Sequence, residues 1–154
     1  MVEHSPLTRD FTVAVFVVRN DRVLIMLHPK LGKLLPPGGH IEPDELPDDA
    51  ALREVREETG LEVRLVGETT LSIDQPTQLV RPEGIQLEDI ATGHQHIDLI
   101  YFAVPLDGSH PSPEDGVKHL RWYTPEELVL AGASDEILVW SRLAIMATEA
   151  RLAN

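Results

Sequence analysis

Residues 39–61 read GHIEPDELPDDAALREVREETGL, and the second half of that stretch carries the signals of one amphipathic helix. Pro47 suits a first helical position, Asp48 and Asp49 fall in the positive-dipole first turn, and Gly60 follows the last periodic residue as a C′ cap. Leu46 is a poor N-cap. On this helix Glu54, Glu57 and Glu58 are the i, i+3 and i+4 neighbours of one face. Like charges at that spacing weaken a helix by about 0.2–0.5 kcal/mol per pair, so the patch calls for a cation. Ala51, Leu52, Val55 and Thr59 turn inward and leave the glutamates on an adjacent edge that solvent and ligand can reach.

Arg53 lies four residues before Glu57, but its guanidinium fork also suits a bidentate grip on Glu45, and the second role is the one expected. Such a clamp ties residues 40–46 to the helix. Upstream, Leu35-Pro36-Pro37-Gly38-Gly39 joins two rigid residues to two permissive ones, which lets a backbone carbonyl be aimed at the same place as the carboxylates. Oxygen-only ligands select magnesium, manganese or calcium, and magnesium characteristically keeps waters and meets substrate phosphates. A chain without cysteine excludes a thiolate site, and the helix lacks the paired histidines of a His-Glu-x-x-His zinc protease.

Gly39, Glu45 and the run Arg53-Glu54-Val55-Arg56-Glu57-Glu58-Thr59-Gly60-Leu61 together resemble a complete Nudix box, with no position departing. The resemblance implies an α/β fold, the Nudix α/β/α sandwich with a mixed sheet, in a single domain over residues 1–154. It also implies a Mg2+-dependent pyrophosphohydrolase, with Mn2+ as a substitute ion, that cleaves a nucleoside diphosphate linked to another moiety. By position, Glu57 and Glu58 become the main metal ligands, Glu54 a further ligand or the base, the Gly39 carbonyl a metal contact, and Arg53 with Glu45 the clamp. Which glutamate takes the proton stays open. In relatives an acidic residue from a later loop joins the metal cluster, which makes Glu114 or Asp115 the candidate here. A proline beyond the box is associated with ADP-ribose cleavage, and Pro76 lies near that place; dinucleoside polyphosphates, nucleotide sugars and nucleoside triphosphates stay open as substrates. The alternative is a catalytically silent Nudix-like nucleotide-binding module, which usually loses the box carboxylates. A diphosphate isomerase would commonly need a reactive cysteine.

The chemistry is consistent with the resemblance. A pyrophosphate bridge brings negative oxygens into an anionic patch, so the reaction requires cations that screen both. A metal-bound water with lowered pKa then attacks one phosphorus in line, and a carboxylate accepts its proton.

A 154-residue chain with 42% hydrophobic content is sufficient for one domain with a core, and no linker or repeat divides it. A formal net charge of −13 makes nucleic-acid polymers poor partners, while small nucleotides are accepted through metals. Early charges at Glu3, Arg9 and Asp10 and the lack of a long apolar run argue against a signal peptide or membrane span, so the cytoplasm is the expected compartment.

The remaining segments alternate strand and helix signals. Strands are expected at Phe11–Val18, Val23–Leu27, Val63–Leu71, Ile97–Val104 and His119–Tyr123. A capping box at Thr124-Pro125-Glu126-Glu127 and a helix over Ser134–Leu152 follow. Ser72–Thr92 and Asp107–Lys118 read as long irregular segments. His94, His96 and Asp98 share one strand face, and His96 and Asp98 are expected to line a substrate pocket. Lys33, with His28 and Lys30, precedes the glycine loop, where it is placed to meet phosphate. Trp122 and Trp140 are read as core anchors. The apolar Phe11–Val18 strand is compatible with a homodimer.

Overall fold

The computed structural model describes residues 6–111 and 120–153. Its central pair is β1 (Thr8–Arg19) and β7 (His94–Pro105), which run parallel from Thr8 opposite His94 to Val17 opposite Ala103. On the other side of β1 lie β2 (Arg22–Leu27), near the β1 C-terminus, and β4 (Gly38–His40), opposite Thr12–Ala14. β3 (Leu34–Leu35) and β8 (Leu120–Tyr123) pair with β2, while β5 (Val63–Leu65) and β6 (Gly84–Ala91) pair with β7. All pairings except β1 with β7 are antiparallel, so the sheet is mixed.

The apolar run in β1 follows from burial on both faces. Val13, Val15 and Val17 pack with Ala50, Ala51 and Val55 of α1 (Pro47–Thr59). Phe16 and Val18 face the other way, onto Ile137 and Ala144 of α3 (Asp135–Leu152). Helices on both sides make an α/β/α sandwich. Because β1 is paired along both edges and these residues are buried, the hydrophobicity of Val13–Val18 is accounted for by the chain's own core, whereas Phe11 is 58% exposed.

Helix termini follow their local chemistry. Leu46 makes no side-chain cap, and Gly60 closes α1 at φ 74°. Thr124 and Glu127 form the reciprocal capping box of α2 (Pro125–Leu130), and Ser134 Oγ accepts from Ile137 N at α3.

Two strand expectations need correction. The strand expected over Val63–Leu71 stops at Leu65, and the segment Ser72–Thr92 contains β6. Pro76 and Pro82 both precede Gly84, so neither interrupts the strand, and Ile85, Gln86, Leu87 and Glu88 alternate with period two. Ile85 and Leu87 face solvent. β1 and β7 also start earlier than expected, because their polar leading residues sit on an open face of the sheet. There Thr8, Asp10 and Thr12 of β1 and His94, His96 and Asp98 of β7 share one side. Ser134, Glu136 and Ile137 at the start of α3 wall the cavity that this face opens into.

Candidate active site

Consecutive glycines bring backbone against the box glutamates. Gly38 pairs with Ala14 so closely that a Cβ there would overlap the Val13 carbonyl oxygen, and a Cβ on Gly39 would overlap the Glu54 carboxylate. Gly38 N–H donates to Glu58 Oε1 at 2.8 Å. Residues 38–39 and the last two turns of α1 therefore meet at one corner of the sandwich.

Arg53 binds that corner together. Its Nε and Nη2 donate to the two Glu45 oxygens at 2.7 and 2.8 Å, and Nη2 also donates to the His40 carbonyl at 2.9 Å. The expected clamp is present, but its exclusive form needs correction: Nη1 also donates to Glu54 at 3.0 Å and to Glu57 at 3.1 Å. Five donors in a planar fork allow both roles at once.

The glutamates differ in exposure. The Glu57 side chain is 51% exposed and that of Glu54 only 14%, so the patch is less open than the helical pattern suggests. Burial chiefly pushes the Glu58 carboxyl up to about 7; the Gly38 N–H opposes this, and the charges of Glu54 and Glu57 add to it. Burial also raises Glu54, against the opposing hydrogen bond from Arg53. The Arg53 hydrogen bond lowers Glu45, and the same bond raises Arg53. Two carboxyls that burial holds back from ionisation, beside the backbone of β4, fit a hard divalent cation.

A cavity of about 1080 Å³ opens beside this corner. Glu58, Gly38, Gly39, Lys33, His96 and Asp98 all border it, which places both pocket-lining candidates and the lysine on the same cavity as Glu58. Thr12 Oγ1 donates to Asp98 Oδ1 at 2.8 Å, and burial pushes the Asp98 carboxyl up to about 6. Burial also raises Glu88, with Asp98 and Glu136 adding repulsion, and burial first, then His40 and His94, lowers His96. His28 Nδ1 accepts from Lys30 N and Leu31 N, so it holds the turn through residues 28–31. Trp140 and Trp122 are partly buried against the two cores. Glu114 and Asp115 lie outside the described residues.

Glu88, Glu136, Thr12, Asp10 and His40 escaped the sequence reading. Period-two alternation would have found Glu88 and Thr12, had β6 been recognised and β1 been started at Thr8. His94 is not on the cavity wall; it meets Thr8 at 2.8 Å and Asp10 at 3.4 Å.

Residues 8–141 match the model of the NUDIX domain family. A crystal structure described as a hydrolase, NUDIX family, from Clostridium perfringens is 40% identical with a TM-score of 0.78, over 93% of this chain and 98% of that one. A protein of Lactococcus lactis subsp. cremoris described as a probable DHNTP pyrophosphohydrolase is 34% identical over 92 residues, 58% of this chain; the match spans 51% of that relative, about half its length. A bifunctional NMN adenylyltransferase/ADP ribose pyrophosphatase from Francisella tularensis, complexed with AMP and a manganese ion, shares the fold at 19% identity and a TM-score of 0.62, over 92% of this chain and 42% of that one.

Proposed function

Since the chain belongs to the Nudix hydrolase family, we propose that it hydrolyses the phosphoanhydride of a nucleoside-diphosphate-type substrate, with Mg2+, or Mn2+ in its place, held by Glu54, Glu57, Glu58 and the Gly39 carbonyl. The observation that carries this reading is the meeting of the Gly38–Gly39 backbone with Glu54 and Glu58 beside a large cavity.

When bound, the cation supplies charge that screens the phosphates and lowers the pKa of a bound water. The chain's own residues hold the geometry. Arg53 anchors Glu54 through Oε1 and Glu57 through Oε2, while the Gly38 N–H anchors Glu58 through Oε1. Each carboxylate is thus held through one oxygen, and the other is left for a ligand or a proton. One of the three would accept the proton of an attacking water, and Glu114, outside the described residues, is the candidate fourth acidic ligand. Lys33 meets phosphate oxygens, and His96 with Asp98 meets the rest of the substrate in the cavity.

DHNTP and ADP ribose, the compounds named for the relatives, are two substrates to be tried. A net charge of −13 disfavours long nucleic acid, and no helix among the described residues is long and apolar enough to cross a membrane. A cytoplasmic location completes the proposal.

The test is product analysis over ADP-ribose, DHNTP, dinucleoside polyphosphates, nucleotide sugars and nucleoside triphosphates, each with Mg2+, Mn2+ or a chelator. Metal-dependent release of a nucleoside phosphate from one member is the expected result. Binding without cleavage of any member would instead favour the silent nucleotide-binding module.

A further inference from the structure

A second cluster of ligating groups lies at the leading ends of β1 and β7, apart from the box helix. The parallel register sets Thr8 opposite His94 and Asp10 opposite His96, and β4 sets His40 opposite Thr12. One ligand atom each from Asp10, His94 and His96 lie within 4.8 Å of one another. His40 Nε2 donates to Asp10 Oδ2 at 3.1 Å, and its ring stands 5.0 Å from that of His96.

The hydrogen bonds around His94 are compatible with a ligating role. Thr8 Oγ1 lies 2.8 Å from His94 Nδ1 and 3.3 Å from the Gly93 carbonyl, so it can accept from Nδ1–H while donating to Gly93, the tautomer that leaves the Nε2 lone pair facing Asp10 Oδ2 at 3.4 Å. In that tautomer a shared cation satisfies both imidazoles and the carboxylate together. It also matches the outer-shell pattern in which a ligating histidine donates its other N–H to an oxygen, here Thr8 Oγ1.

We propose that Asp10, His94 and His96 form a second metal site, distinct from the box, that takes a borderline transition-metal ion of the Zn2+ type, with Thr8 and His40 as its outer hydrogen-bonding partners. Two imidazole nitrogens with one carboxylate select such an ion over Mg2+, which separates the two sites by chemistry. The ion links β1 to β7 at their open ends. Since His96 and His40 border the large cavity, it stands at that cavity's rim.

The test is titration of the full-length, metal-free protein with Zn2+ alone, by competition with a chromophoric chelator in excess Mg2+, and with Co2+ as a visible-absorption probe. Wild type is expected to take up a single tight equivalent of Zn2+ and to show ligand-field bands with Co2+. His94→Ala and the near-isosteric Asp10→Asn should each weaken binding by about 100-fold or more, and Thr8→Val by roughly 10–100-fold. Glu57→Gln, on the box, should leave Zn2+ affinity unchanged. Metal-free circular dichroism establishes folding; should His94→Ala not fold, Asp10→Asn and Thr8→Val decide the matter. Wild-type Zn2+ affinity in the folded Asp10 and Thr8 variants, loss of binding in Glu57→Gln, or no tight Zn2+ uptake by wild type overturns the proposal.

Discussion

Arg53 is where the loop and the box helix are joined, because its fork meets Glu45, the His40 carbonyl, Glu54 and Glu57 at once. Lysine keeps the charge but not the fork. Arg53→Lys should therefore lower kcat by about 10–100-fold, the scale of a small misplacement of reacting groups. Its melting temperature should fall only by a few degrees; steady-state kinetics beside thermal melts check this, and unchanged kcat in a folded variant contradicts it. Asp98 has a different signature. Burial raises its carboxyl from 3.8 unfolded to about 6 folded, so the folded state binds that proton more tightly. Its contribution to stability is present in full below the unfolded pKa and is lost as pH rises through the folded one. At about 1.4 kcal/mol per pKa unit, the loss is on the order of 2–3 kcal/mol between roughly pH 4 and pH 6. Denaturant titrations in chelator should show Asp98→Asn losing less stability than wild type over that range; parallel pH curves contradict the assignment.

At the scale of elements, β4 owes its position to the absence of a side chain at residue 38. Gly38→Ala drives a methyl into the Val13 carbonyl, and backbone cannot step aside as a side chain can. Overpacking of this kind costs about 1–3 kcal/mol, and it pulls Gly38 N–H from Glu58, so denaturant midpoint and turnover should fall together. α2 tests a local term, because Thr124→Ala removes its capping box and should cost about 1 kcal/mol by chemical denaturation. Elements whose signals are local were legible from sequence: α1 from Pro47 and Gly60, α2 from its capping box, and β1 from a run buried on both faces. β6 was hidden because Ile85 and Leu87 face solvent beside a proline-bearing segment, so its alternation does not mark a core. The short β4 was hidden because its partner β1 is distant in sequence, and β3 because two residues carry no alternation to read.

Across the whole molecule, two helices cover the sheet unevenly, and chemistry collects where its face is open. The box was legible because its ligands lie within one helix and the loop before it. The Asp10–His94 neighbourhood was not, because 86 residues separate Thr8 from His94 and only the parallel pairing of β1 with β7 joins them. The chain as a whole carries a formal charge of −13 and the box corner is anionic, so an anionic substrate binds there with its countercharge supplied. The most direct measurement is phosphorus NMR of one cleaved substrate, run with wild type and with Glu57→Gln, each in Mg2+ and in chelator. Glu57 is half exposed, so its amide should leave the fold intact. Turnover is predicted only for wild type in Mg2+, with the folded variant slower by about 100-fold or more. Equal rates in the two proteins, or an undiminished rate in chelator, would contradict the account.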